Sequence, residues 1–122
     1  MRDDQLQALE SLGVNYQEVL GRFMGKESFF IRMLKKFPVD TSFQDAKQAL
    51  AEGDYEKVFH GIHTLKGLTS NFDLQVLMKD IYEVNEELRN PPYNEEFIKE
   101  KFVIIEENYN KAIDVINNNF EE

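Results

Sequence analysis

Apolar residues recur at three- and four-residue intervals almost from end to end of this chain. No stretch sustains the alternation of apolar and polar residues that a half-buried strand needs. A chain patterned this way buries its apolar surface by packing helix on helix. Its 6 glycines and 3 prolines are few and fall mostly between the periodic stretches, where they punctuate rather than build.

Leu6, Leu9 and Leu12 mark a first short helix that stops at Gly13. Asn15 caps a second carrying Val19, Leu20 and Phe23, which the Met24-Gly25 break ends. From Lys26 a third carries Phe29, Phe30, Met33, Leu34 and Phe37, until Pro38 interrupts it. The pattern restarts at Asp40 or Thr41, runs through Phe43, Ala46, Ala49 and Leu50, and closes at Glu52-Gly53. Asp54 suits the N-cap of the next helix, whose inward positions are Tyr55, Val58, Phe59, Ile62, Leu65, Thr69 and Phe72. Asp73 reads as a turn or a second cap before Leu74, Leu77, Ile81, Val84 and Leu88. The segment Asn90-Pro91-Pro92-Tyr93-Asn94 is a loop, and a long last helix runs through Phe97, Ile98, Phe102, Ile105, Tyr109, Ala112, Ile113, Ile116 and Phe120. The expected fold is all-α, a single domain over residues 1–122. Helices this long on short loops pack as an antiparallel up-and-down four-helix bundle, here with additional short N-terminal helices.

Ten Phe and five Tyr within a 42% hydrophobic chain are enough to fill a core, which excludes disorder. The 14 basic residues against 23 acidic ones leave a net charge of −9. That balance opposes binding to nucleic-acid phosphates and adsorption to anionic membranes. The longest apolar run, Phe102 to Ile105, is far short of the roughly 20 residues that cross a bilayer. Without cysteine there is no disulfide, thiolate metal site or cysteine nucleophile. With no leader-like start, the expectation is a cytoplasmic protein, and the start at Met1 favours a free-standing chain over a piece of a larger kinase.

His60 and His63 are the only imidazoles, both on the helix opened by Asp54. At about 100° per residue the apolar stripe centres between Val58 and Ile62; His63 then points about 120° from that centre and His60 about 180°. Gly67 and Ser70 follow His63 on its face, and Lys66 lies on the flank. An exposed histidine followed by a lysine is, by itself, ordinary helix surface. Glycine inside a helix is less ordinary: it costs about 1 kcal/mol relative to alanine, so something must need the close approach.

The run His63-Thr64-Leu65-Lys66-Gly67-Leu68-Thr69-Ser70-Asn71-Phe72 resembles the signature of histidine-containing phosphotransfer domains. Gly53-Asp54-Tyr55 and Phe23-Met24-Gly25-Lys26-Glu27, followed by Phe30 to Phe37, are similar to the family's upstream pattern, so the likeness spans Leu12 to Phe120. The resemblance implies a phosphorelay carrier: His63 accepts a phosphoryl group from a receiver-domain phospho-aspartate and passes it to another receiver's aspartate. Lys66 would be the local cation, Gly67 would leave room for the receiver's rim, and Ser70 would either donate a hydrogen bond or keep the surface low. Some relatives present a glutamine from the next helix. The position 22 residues past His63 holds Asn85, which either supports the phosphate or is a polar residue on the solvent edge. The resemblance implies no cofactor or metal of the chain's own and no ATP-dependent kinase activity. It implies a monomer whose partners are response-regulator receiver domains or a hybrid sensor kinase, with Mg²⁺ and the acceptor aspartate on the partner. Two residues depart from the pattern: Leu68, where a small residue is usual, and Asp73, where glycine is common.

Two other readings use the same residues. His60, His63 and Glu56 share a face that could hold a metal, although no further His or Cys completes the set. A helical-bundle adaptor that binds a partner without accepting phosphate is the alternative from another class, and the His63-Lys66-Gly67 set argues against it.

Overall fold

The computed structural model describes residues 1–120, which are helical throughout apart from short connections, with no strand among them. Three short helices come first: α1 (Asp3–Ser11), α2 (Tyr16–Gly21) and α3 (Glu27–Leu34). A single 3-10 turn at Phe37–Val39 holds Pro38, so the interruption read from the sequence is a tightened turn. The longer helices follow: α4 (Ser42–Ala51), α5 (Tyr55–Asn71), α6 (Gln75–Glu87) and α7 (Glu95–Asn119). Each packs on the next in chain order, α4 on α5, α5 on α6 and α6 on α7, while α1 packs on α7 and α2.

The expected caps at Asn15 and Asp54 form, and Asn94, read from the sequence only as loop, caps α7 as well. The side chains of Asn15, Asp54 and Asn94 accept from the backbone N–H of Glu18, Lys57 and Phe97, at 3.2, 3.2 and 3.1 Å. At α4 the first free amide is met differently, by Asp40 Oδ1 accepting from Ser42 N at 2.8 Å. A run of aromatic rings ties the short helices to the long ones. Phe23 stacks on Phe72 (5.6 Å between centroids), Phe72 meets Phe37, Phe37 meets Tyr109, and Tyr109 packs on Phe43 at 4.8 Å. Across α6 and α7, the half-buried Lys101 reaches Asp80 at 2.9 Å and Glu83 at 3.2 Å; the two carboxylates raise its pKa.

Packing corrects one local expectation and, at Asp73, decides between the turn and the cap in favour of the turn. Leu6 is 37% exposed, and Gln5 takes the inward position beside Ala8 and Leu9 because its amide donates to Asn119 O at the end of α7 (3.1 Å). Asp73 does not cap α6, whose N-cap is Leu74 with no side-chain bond. Asp73 instead closes α5 in a left-handed conformation (φ 57°), with Leu74 N donating to Thr69 O and Asp73 N to Ser70 O. Its buried carboxylate accepts from Asn15 N at 2.8 Å. The same joint needs Gly13: at φ 79° a Cβ there would sit 2.7 Å from Gln75 Cβ.

Tyr16, between α1 and α3, donates to Glu27 Oε1 at 3.1 Å; burial, and then this carboxylate, push its pKa up to about 12. Burial raises Tyr109 and Tyr55 in the same direction. A phenol whose folded pKa is raised contributes stability that is complete below its unfolded pKa near 10 and is lost as pH rises toward the folded one. Urea denaturation is therefore expected to show a loss of about 1–2 kcal/mol between roughly pH 9 and pH 11.5. Tyr16→Phe should flatten that slope.

Candidate functional site

Val58, Ile62, Leu65 and Thr69 form the buried stripe of α5, which Phe72 continues just past its end, and the opposite face carries His60, His63, Thr64 and Gly67 into solvent. The exposure read from the helical wheel is thus what the structure has. Side chains on a helix lean toward its N-terminus, which brings His63 back onto Phe59, one turn earlier. The two rings stack at 5.7 Å with 27° between their planes. Phe59 is half-buried against the core, so the imidazole rests on a ring that the core holds in place.

Lys66 is half-buried on the flank, and its Nζ lies over the Tyr82 ring of α6, 5.1 Å from the centroid. The Ser70 hydroxyl donates to Lys66 O at 2.7 Å and is hydrogen-bonded to the Tyr82 hydroxyl. Both of its ordinary partners are therefore inside the fold, and Ser70 joins α5 to α6. Arg22 donates to Ser70 O (2.6 Å) and Asn71 O (3.2 Å), placing a cation on the last carbonyls of α5. Between Lys57 and Phe72 the chain has no Asp or Glu, although 23 are spread over the whole sequence. The helix that presents His63 is thus locally basic in an acidic protein.

The two glycines inside α5 have different causes. A Cβ at Gly61 would sit 2.8 Å from Ala46 Cβ and 2.9 Å from Ser42 O, so Gly61 is what lets α4 pack this closely. A Cβ at Gly67 would meet nothing within 4 Å. Among the described residues no contact accounts for glycine there. Leu68, between the faces, is half-buried and packs on the core.

Asn85 lies elsewhere. It is 4% exposed, in line with Ile81 and Val84 on the inner side of α6, which corrects its placement at the solvent edge. Its Oδ1 is buried with no hydrogen-bond donor among the described residues. An unmet buried amide oxygen costs about 1–3 kcal/mol, so Asn85→Leu should raise the urea-denaturation stability by about 1 kcal/mol.

Tyr82 and Arg22 were not found by sequence reasoning. Each belongs to no motif, and each reaches α5 from another part of the chain, Tyr82 from α6 and Arg22 from the end of α2. The only available signal was an aromatic, Tyr82, next to an inward position on an otherwise polar edge of α6. His60 borders a shallow depression with Ser42, Asp45, Lys57 and Thr64, on the side of α5 that meets α4. Among the described residues no three His, Asp or Glu are grouped to hold a metal ion, and no helix is long and apolar enough to cross a membrane. No family model matches the chain, and no curated protein or solved structure matches it significantly.

Proposed function

We propose that the chain is a phosphorelay carrier of the kind its α5 motif resembles, taking a phosphoryl group on His63 from one receiver domain and giving it to another. The observation that carries this reading is the open ground beside the imidazole. His63 is exposed, Lys66 stands one turn on, and Gly67 leaves a bare stretch of helix that nothing in the fold requires. On this reading α4 to α7 are the antiparallel up-and-down four-helix bundle and α1 to α3 its short additions. The protein works as a cytoplasmic monomer that docks on receivers.

The step balances without a base. A ring nitrogen lone pair of neutral His63 attacks the phosphorus of the receiver's acyl phosphate; a P–N bond forms, the P–O bond breaks, and the aspartate carboxylate leaves with the electron pair. The second receiver's carboxylate reverses these bonds. Catalysis is then positioning and charge neutralisation, which Phe59 stacked on the ring and Lys66 one helical turn on support. Ser70 is committed within the fold and Asn85 is a core amide, so the proposed phosphate-side set is His63, Lys66 and Gly67.

The test is incubation with a panel of receiver domains phosphorylated on aspartate. The expected result is a base-stable, acid-labile phosphate on the wild-type chain. No phosphate from any receiver would favour the adaptor reading.

A further inference from the structure

The geometry points to Tyr82 of α6 as a positioning residue that holds the Lys66 ammonium beside His63. The inference rests on the carrier reading for its use, but its geometry stands separately. Lys66 is the only cation one helical turn from His63, and its stem has four rotatable bonds that would otherwise spread the charge over a wide arc of solvent. Two contacts narrow that arc. The Tyr82 ring attracts the ammonium through its negative face, 5.1 Å from the centroid. The Tyr82 hydroxyl is tied to Ser70, whose own hydroxyl bonds back to the Lys66 carbonyl, so the ring that receives the ammonium is fastened to the backbone of the same turn. Tyr82 is 37% exposed, more than core packing alone requires of an aromatic, and its neighbour Ile81 does the burying.

A cation parked on a ring is still available to phosphate. An exposed cation–π contact is weaker than a charge-assisted bond to a phosphoryl oxygen, so the ammonium can turn from one to the other when His63 is loaded. What the ring supplies is a defined starting point for an ammonium whose backbone lies one helical turn from His63.

Two measurements test this. In the unphosphorylated protein, the Lys66 side-chain methylene protons next to nitrogen should be shifted upfield by the Tyr82 ring current. That shift should persist in Tyr82→Phe and vanish in Tyr82→Leu. Values equal to those of a free lysine in the wild type would overturn the proposal, whether or not the chain carries phosphate. In single-turnover transfer from a phosphorylated receiver, Tyr82→Leu should lower the maximal rate about three- to fivefold, the rate equivalent of an exposed cation–π contact. The half-saturating receiver concentration should not change, and Tyr82→Phe should restore the rate to within about twofold. In a Lys66→Ala background Tyr82→Leu should add nothing; an equal drop there would show that Tyr82 acts other than through Lys66. If no receiver loads the wild-type chain, the carrier reading fails, and the proton shifts still decide where the ammonium rests.

Discussion

His63→Gln should abolish all acid-labile phosphate on the chain while leaving its fold intact. The side chain is exposed and makes no hydrogen bond among the described residues; its ring contact is with Phe59, so the substitution leaves no cavity and no orphaned group. Denaturation stability should change by no more than about 0.5 kcal/mol. His60→Gln serves as the internal control and should retain the label. His60 stands on the same helix, but it borders the depression that Asp45 of α4 helps to line, where a carboxylate opposes an incoming phosphoryl group. Mass spectrometry at neutral or alkaline pH reads the site directly. Label retained by His63→Gln, or label lost with His60→Gln alone, would refute the assignment.

The two glycines of α5 should respond to alanine with opposite signs. Gly61→Ala drives a Cβ into the backbone and side chain of α4, and neither the Ser42 carbonyl nor Ala46 is a flexible end that can swing aside. The helices must separate, and the expected loss is about 1–3 kcal/mol in urea denaturation. Gly67→Ala meets open space on a regular helix and should stabilise the fold by about 0.5–1 kcal/mol. On the carrier reading, the space left open at Gly67 is where the receiver's rim docks. Gly67→Gln should therefore remain folded and yet slow transfer from a phosphorylated receiver about 100-fold or more, because a small displacement of reacting atoms is enough to lose that much. If Gly67→Gln transfers at the wild-type rate, the bare stretch of helix is not a docking surface.

The parts of this architecture that were legible in advance are those governed by contacts within four residues. Helix positions followed from apolar spacing, and the caps at Asn15 and Asp54 followed from short polar side chains placed just before it. The exposure of His63 followed from its angle to Val58 and Ile62. In α1 the same logic failed. Turning the helix to bury Gln5 satisfies both the Gln5 amide and the Asn119 carbonyl, a gain that depends on a residue more than a hundred positions away.

The amino-acid order alone therefore determined that the chain is helical, where most of its helices lie, and that an imidazole and a glycine share one exposed face of α5 with an ammonium on its flank. Only the tertiary structure decided which neighbour each flank meets. It gave Gly61 a packing reason and Gly67 none, put Asn85 inside, fastened Ser70 to Tyr82, and sent the Asp73 carboxylate to Asn15 instead of to α6. The physical reason is range. Helical periodicity is written by bonds between residues four apart, whereas the rotation of one helix against another is set by interlocking side chains from distant parts of the chain, which no local spacing encodes.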